Sequence, residues 1–260
     1  MDNFTLINDS INTFIKNHFK VENTKGAILG LSGGIDSTVV AYAATKALGN
    51  EKVLGLLLPD KEITPQQDID DAIKVCSILK IDYKIIYVND IINEFLDILE
   101  KTDSKLVKGN LISRVRMCIL YYYANLLNRM VLGTSNKTEI AIGYFTKYGD
   151  GASDLTPIGD LYKTQVKEFA RFLNIPNQII HKKSSARLWI DQHTEDEVGL
   201  SFDDLDAILM FINKHQKAII DSSLLKKTFP FIPEEKINHV LYLINKNKHK
   251  TSICAKCSFE

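Results

Sequence analysis

The length, composition and charge of the chain already exclude several classes of protein. Its 260 residues include 32 Lys and Arg and 32 Asp and Glu, so the formal net charge is zero. With 45% hydrophobic and 25% charged residues, the chain is too apolar to be disordered, and it lacks the basic excess of a general nucleic-acid-binding protein. No apolar run approaches the roughly 18 residues of a membrane helix. We expect one domain over residues 1–260, without a nucleic-acid or membrane partner.

The N-terminus and the cysteines indicate a cytoplasmic protein. Met1-Asp2-Asn3 lacks the basic region that opens a signal peptide, and the four cysteines do not form the pattern of a secreted disulfide scaffold. Cys76 and Cys118 lie in apolar helical patterns, so we expect both thiols to be buried. Cys254 and Cys257 form a single C-x-x-C, which is too few ligands for a closed zinc site unless a histidine or a partner subunit adds more. We expect a reduced tail without metal.

The first half of the chain alternates between predicted helices and strands. An apolar face at helical spacing predicts a helix over residues 4–19. Short apolar runs predict buried strands, at 26–31, 53–58, 84–88 and 130–133. Apolar stripes between them predict helices, at 38–48, from Pro65 through Cys76, and at 109–129. Strands of this kind that alternate with helices are typical of an α/β fold, with a parallel sheet and helices on both of its faces.

The second half of the chain combines irregular segments with helices. Residues 143–160 are rich in Gly, Asp and Thr without any period, which predicts a loop too long for a simple connection and therefore functional. Residues 181–200 form a second polar, irregular stretch. Helical patterns occupy 162–173, 203–214 and 233–246.

The segment Ser32-Gly33-Gly34-Ile35-Asp36-Ser37 lies between a buried strand and a helix. Glycines allow a tight turn whose amide groups point outward, and the helix N-terminus behind them adds positive dipole, so the segment is suited to bind phosphate. A carboxylate such as Asp36 beside phosphate requires a cation between them, for which Mg²⁺ is the natural choice. The alternative is a plain glycine-rich turn in which Asp36 and Ser37 only cap the helix.

This loop resembles the P-loop of the ATP pyrophosphatases, which split ATP into AMP and pyrophosphate. The loop alone does not distinguish between the families of these enzymes, but other motifs do. They are similar, in the same order, to motifs of the NAD synthetases: KGNLISRVRM at 108–117, GTSNKTE at 133–139, GYFTKYGDG at 143–151 and SARLW at 185–189. The resemblance extends from about residue 4 to residue 250. The chain is therefore identified as a member of the NAD synthetase family, with one synthetase domain over residues 1–260.

The resemblance implies a Rossmann-like, adenine nucleotide alpha hydrolase-like fold and a homodimeric ligase. Such an enzyme converts nicotinic acid adenine dinucleotide (deamido-NAD), ATP and ammonia into NAD⁺, AMP and pyrophosphate through an acyl-adenylate, with Mg²⁺ as cofactor. Because a carboxylate is a poor electrophile, its activation requires cationic groups and metal ions that stabilise negative charge. A protein nucleophile is not required, and none is evident.

The resemblance also implies roles for individual residues. Asp36, Glu139 and Lys163 would be catalytic, and Asp36 and Glu139 would hold Mg²⁺. The ATP site would comprise Gly30, Leu31, Ser32, Gly33, Gly34, Ile35, Asp36, Ser37, Thr134, Lys163 and Ser185. The deamido-NAD site would comprise Arg114, Lys147, Asp154, His249 and Lys250. An exposed helix carboxylate remains the alternative for Glu139, a solvated lysine for Lys163, and a basic solvated tail for His249 and Lys250.

The two arginines of the 108–117 motif cannot face the same way, because they are two positions apart on a helix. The resemblance selects Arg114 for the dinucleotide, which leaves Arg116 a surface or salt-bridge role. The chain departs from the family at Ser184, at Thr194 and after Lys250, which puts the C-terminal contacts in doubt.

Alternatives to an ammonia-dependent synthetase remain. A separate glutaminase subunit could supply the ammonia. A tRNA-modifying ATP pyrophosphatase would need a basic face and a sulfur-carrying cysteine near the site, which the balanced charge and the remote Cys254 and Cys257 disfavour. A catalytically inactive nucleotide-sensing module would not need Asp36, Glu139, Lys147 and Lys163. We expect the dimer to form through a helix over about 3–20 and the helix 109–129 with its three tyrosines, and a C-terminal tail over about 249–260. We also expect 101–110 and 181–199 to be irregular segments that close over the substrates.

Overall fold

Parallel strands form the centre of the fold. The computed structural model describes residues 3–215, 222–252 and 257. Within these residues, β1 (Ala27–Gly30), β2 (Val53–Leu57), β3 (Asp82–Ile85) and β4 (Met130–Leu132) form one sheet in the order β3-β2-β1-β4. All three strand pairs are parallel, and Ala27 of β1 aligns with Val53 on one side and Met130 on the other. The carboxyl ends of the strands therefore meet at one edge of the sheet.

Helices cover both faces of this sheet. The helices up to the middle of the chain are α1 (Phe4–Glu22), α2 (Ile35–Leu48), α3 (Gln66–Leu79), α4 (Asn89–Ile98), α5 (Lys105–Leu127) and α6 (Lys137–Ile142). The later helices are α7 (Lys163–Phe172), α8 (Asn177–Ile180), α9 (Thr194–Val198), α10 (Phe202–Lys214), α11 (Ser222–Thr228) and α12 (Glu234–Thr251). No helix in the described part of the chain combines the length and apolarity needed to cross a membrane.

Two apolar cores lie on opposite faces of the sheet. One joins β1 and β2 to α1, α2, α3, α7 and α8, and the other joins the opposite strand faces to α4 and α5. The alanines of α2 are buried, which lets this helix pack closely against α1 and the sheet. This arrangement confirms the predicted α/β class with helices on both faces.

The C-terminal helices form a third core. Residues of α10, α11 and α12 pack around Leu205, Ile208, Leu225 and Ile237, and Ile142 and Tyr162 bring α6 and the start of α7 into the same cluster. This third core therefore connects the C-terminal helices to α6, which follows the carboxyl end of β4.

Several sequence predictions differ from the structure. The third strand covers 82–85 rather than 84–88, because it is an edge strand whose residues are all exposed and so lack the apolar pattern of a buried strand. The prediction that 101–110 is irregular is wrong from Lys105 onward, where α5 begins with Ser104 as its N-cap. Helices α4, α8, α9 and α11 were not predicted, and α9 makes the prediction of an irregular 181–199 wrong over Thr194–Val198. The predicted tail begins inside α12, which continues to Thr251.

One prediction of burial also needs correction. Cys76 is buried as expected, whereas Cys118 is exposed on α5. Cys257 is exposed, and Cys254 lies outside the described residues. On α1, Ile11 and Ile15 pack within the chain's own core, while Leu6, Phe14 and Val21 are exposed, so the contribution of this helix to a dimer stays a prediction. The Phe4 ring of α1 also stacks on the Phe169 ring of α7.

Candidate active site

The P-loop connects β1 to α2 and has a conformation that requires glycine. Gly33 has φ +73°, and a Cβ atom there would lie 2.1 Å from the backbone oxygen of Asp68. The hydroxyls of Ser32 and Ser37 are 3.1 Å apart, and Ser37 also donates to the Gly34 oxygen at 3.1 Å. These hydroxyls therefore brace the loop from within.

A cavity of about 260 Å³ lies at the carboxyl ends of β1, β2 and β4. Its wall also includes part of the loop over 143–160 and the segment 182–188. Among the residues predicted to bind ATP, those that line the cavity are Gly30, Leu31, Ser32, Gly34, Ile35, Asp36, Ser37, Thr134, Lys163 and Ser185. Gly33 does not line it but shapes the loop that does.

The carboxylate of Asp36 is held by two groups that come from distant parts of the chain. Its Oδ2 atom forms an ion pair with Lys163, which is fully buried at the start of α7. Its Oδ1 atom accepts a hydrogen bond of 2.9 Å from Asn136, the N-cap of α6. Lys163 is therefore not the solvated lysine that the sequence left open.

Glu139 completes this centre. It forms a capping box with Asn136, since the Asn136 side chain accepts from the Glu139 N–H at 3.0 Å and Glu139 Oε2 accepts from the Asn136 N–H at 3.2 Å. Burial and the nearby Asp36 carboxylate raise the pKa of Glu139 to about 8. Burial alone would lower the pKa of Lys163, but the Asp36 and Glu139 carboxylates outweigh it and raise that pKa.

The chemistry of this centre fits a divalent cation. Two carboxyl groups face a single ammonium group, and burial together with the Asp36 carboxylate raises the pKa of Glu139, so ionising both carboxyl groups here calls for a further cation. Carboxylate oxygens are the ligands that Mg²⁺ prefers. No group of three or more His, Cys, Asp or Glu side chains suited to a metal occurs among the described residues. Phosphate oxygens and water would have to supply the remaining ligands.

Four of the five residues predicted to bind the dinucleotide cluster outside the cavity. The Arg114 guanidinium donates to the backbone oxygen of Lys147 at 3.3 Å, and Lys147 Nζ donates to the backbone oxygen of His249 at 2.6 Å. Lys250 Nζ donates to the backbone oxygens of Gly143 and Phe145 in the same loop. The end of α12 is thereby fastened to this loop.

Asp154, the fifth predicted dinucleotide residue, has different partners. Its carboxylate accepts a hydrogen bond of 2.7 Å from the N–H of Val131 in β4 and one of 3.2 Å from the hydroxyl of Tyr121. The aspartate therefore ties the loop to the sheet and to α5.

Comparison with known proteins places this geometry in a family. The family model described as NAD synthase matches residues 7–254.

The chain belongs to the NAD synthase family.

The NH(3)-dependent NAD(+) synthetase of Archaeoglobus fulgidus is 43% identical over 248 residues, which cover 95% of this chain and 94% of that protein. Two solved structures are similar over nearly their whole length. The NMN synthetase from Francisella tularensis has a TM-score of 0.87 and 30% identity, and both chains are covered completely. The NH3-dependent NAD synthetase from Campylobacter jejuni has a TM-score of 0.82 and 31% identity, with 99% of this chain and 100% of that chain covered.

In this family member Arg116 is a cavity residue, so the surface or salt-bridge role predicted for it is wrong. It lies in the cavity wall, where its guanidinium donates to the backbone oxygens of Leu58 at 3.0 Å and Arg187 at 3.4 Å. Burial lowers its pKa. Arg114, two positions earlier on α5, is exposed. The spacing correctly predicted opposite directions but not which arginine faces inward.

The segment before α9 is fastened across the P-loop by ionic contacts. Lys182 Nζ donates to the Gly33 oxygen at 2.9 Å and pairs with the buried Asp68 and Asp71 at 2.9 and 2.5 Å. Arg187 pairs with Asp68 at 2.7 Å. Lys182 of this segment therefore has acidic partners in the absence of ligand. No sequence pattern marked Asp68 and Asp71 as its partners.

Proposed function

We propose that this chain is an ammonia-dependent NAD⁺ synthetase, which amidates deamido-NAD with ammonia and splits ATP into AMP and pyrophosphate. The observation that carries the proposal is the centre of Asp36, Lys163 and Glu139 beside the P-loop, inside the cavity at the strand ends. Phosphate binding by loop amides, a buried ammonium group and a carboxylate pair are the components that adenylation of a carboxylate requires.

In this proposal the chain works by binding and by stabilising charge. The P-loop amides and Lys163 hold the phosphates of ATP, and the carboxylate of deamido-NAD attacks the α-phosphate. Pyrophosphate leaves, and ammonia then replaces AMP on the acyl carbon. Lys163 is suited to stabilise the charge that develops on phosphate, because burial keeps water from screening its ammonium group.

We assign Asp36 and Glu139 as the Mg²⁺ ligands. When bound, Mg²⁺ would neutralise phosphate oxygens and assist the departure of pyrophosphate. The raised pKa of Glu139 supports this assignment, since a bound cation would offset both the burial of its charge and the repulsion from Asp36.

The cluster at the end of α12 supports a site for the anionic dinucleotide. Arg114, Lys147, His249 and Lys250 supply three cations and an imidazole around one loop, so they suit a substrate with a pyrophosphate and a carboxylate. Asp154 is part of the proposal, although its carboxylate already accepts two protein hydrogen bonds.

A homodimer is part of the proposal, and the exposed apolar side chains of α4 and α5 support an interface on these helices. Large apolar side chains are exposed on both helices, at Phe95, Ile98, Leu106 and Leu126. Monomers rarely expose large apolar patches. Ile98→Lys should therefore convert a dimer into monomers in light scattering, whereas Val21→Lys on the exposed side of α1 should not. A wild-type monomer with full activity would contradict the assignment.

The free thiols at Cys76, Cys118 and Cys257 support a cytoplasmic location.

A second candidate substrate is nicotinic acid mononucleotide, because the NMN synthetase from Francisella tularensis is similar over the whole of both chains. The reaction on the carboxylate would be the same, and the two substrates differ only in the adenylate half. Comparison of kcat/KM for the two substrates decides between them.

The proposal is tested with purified protein, ATP, Mg²⁺ and deamido-NAD, supplied with either ammonium or glutamine. We expect NAD⁺ and AMP in equal amounts with ammonium and no reaction with glutamine alone. Asp36→Asn should lower the rate by about two to three decades while the variant remains folded. Absence of NAD⁺ with ammonium from folded protein would overturn the proposal, and turnover with mononucleotide alone would favour the second candidate.

A further inference from the structure

A buried carboxylate in the C-terminal part of the chain lies directly behind the catalytic lysine. Asp206 of α10 is 1% exposed. Its Oδ1 atom accepts a hydrogen bond from the hydroxyl of Thr138 in α6, and its Oδ2 atom accepts one of 2.8 Å from the N–H of Thr164 in α7. Both oxygens are therefore used as acceptors, which is the bonding pattern of an ionised carboxylate.

The hydrogen bond to Asp206 fixes the direction of the Thr138 hydroxyl. Because an ionised carboxylate only accepts, Thr138 must donate its hydrogen to Asp206, and its oxygen is left to accept. That oxygen accepts the backbone N–H of Lys163 at 2.9 Å. Thr138 is fully buried, so water cannot replace the hydroxyl if it is lost. Asp206 thus acts on Lys163 through Thr138.

These bonds determine where the Lys163 side chain begins. Helix α7 starts at Lys163, and its first two N–H groups are satisfied by Thr138 and Asp206 rather than by the helix itself. At the other end of the side chain, Nζ pairs with Asp36 and lies 5.4 Å from the centre of the Phe202 ring. Phe202 belongs to α10, as does Asp206, so one helix contacts the ammonium end of the lysine directly and reaches its backbone end through Thr138.

We propose that Asp206 and Thr138 are positioning residues for Lys163, and that α10 thereby sets the geometry of the ATP centre. This inference rests on the proposed function, since the role of Lys163 in binding and activating ATP belongs to it. A small displacement of the backbone at Lys163 would pass along the side chain to the ammonium group, where geometry determines the stabilisation of the transition state.

Isosteric variants separate the hydroxyl from the volume of Thr138. Thr138→Val keeps the shape but removes the acceptor of the Lys163 N–H and one donor to Asp206, so kcat should fall by about 10- to 100-fold. Thr138→Ser keeps the hydroxyl and should restore most of the activity. Asp206→Asn offers one acceptor for two donors, so it should act in the same direction as Thr138→Val. Ile208→Val, a buried apolar change on α10, is the control for general destabilisation and should leave kcat near the wild-type value.

A double-mutant cycle with Lys163→Met distinguishes positioning from a structural role. If Thr138 and Asp206 act through the lysine, Thr138→Val and Asp206→Asn should lower the residual kcat little further in the Lys163→Met background. The dissociation constant for ATP, measured by calorimetry, should follow the same pattern. Because ATP binding is measured independently of NAD⁺ formation, the cycle can be evaluated even if the proposed reaction fails.

Two results would overturn the inference. One is wild-type kcat and ATP affinity in both Thr138→Val and Asp206→Asn. The other is a loss in the Lys163→Met background as large as the loss in the wild-type background, which would show that the two residues act on the fold as a whole. If Thr138→Val does not fold, Asp206→Asn alone, compared with Ile208→Val, decides the outcome.

Discussion

Replacement of Glu139 by Gln removes a negative charge from the centre formed with Asp36 and Lys163 while it keeps the shape of the side chain. The amide oxygen of Gln can still accept the Asn136 N–H, so the capping box at the start of α6 is retained. We expect the variant to be inactive, with a loss of about two to three decades in rate, and yet more stable than the wild type in the absence of ligands.

The magnitude follows from the pKa of Glu139, which burial and the Asp36 carboxylate raise from 4.5 to about 8. Between these values the unfolded chain has lost a proton that the folded chain retains, so the stability that this group contributes is complete below pH 4.5 and declines as the pH rises towards 8. One pKa unit corresponds to about 1.4 kcal/mol, which sets a ceiling of about 5 kcal/mol at pH 8. Since Glu139 retains some solvent access, we expect Gln to gain about 2–4 kcal/mol, or roughly 4–8 °C in Tm.

The assay is thermal unfolding of ligand-free, metal-free protein at pH 5 and at pH 8. The gain in Tm from Glu139→Gln should be clear at pH 8 and much smaller at pH 5, where the wild-type carboxyl and its unfolded counterpart are both closer to protonated. Glu62→Gln, at an exposed carboxylate, should change Tm little at either pH. A gain of equal size at both pH values, or a lower Tm for Glu139→Gln at pH 8, would refute the reasoning.

The remaining predictions concern the P-loop, the cysteines and the segment over the cavity. Gly33→Ala should lower Tm and abolish ATP turnover because its methyl group would meet a backbone oxygen at 2.1 Å, whereas Gly34→Ala, with a hydroxyl at 3.3 Å, should cost less in both measurements. Cys118 should react with maleimide in native protein, while Cys76, whose pKa burial raises to about 12, should react only after unfolding, as checked by peptide mass spectrometry. Hydrogen exchange across 181–199 should slow when ATP and deamido-NAD bind together, and unchanged exchange there beside a protected P-loop would argue against closure.

Features whose conformation depends on residues adjacent in the chain could be predicted from the sequence. The strand, the Gly33-Gly34 turn and the start of α2 follow one another along the chain, so their local chemistry defines the phosphate-binding loop. The motifs around Glu139 and over 143–151 likewise indicated the family, which the match over residues 7–254 confirms. Continuous apolar strands predicted a parallel sheet, because only strands buried on both faces have that pattern.

Tertiary structure alone decided which polar side chains are buried and what they contact. Asp36 and Lys163 are 127 positions apart, and Asp206 bonds to the start of α7 only because α10 packs against α7. Arg116 rather than Arg114 enters the cavity because the sheet covers one side of α5. A charged residue has the same identity whether it is solvated or buried, so the one-dimensional pattern contains no signal for the difference. Burial is determined by packing between segments far apart in the chain, and for this protein that packing assembles the centre at Asp36.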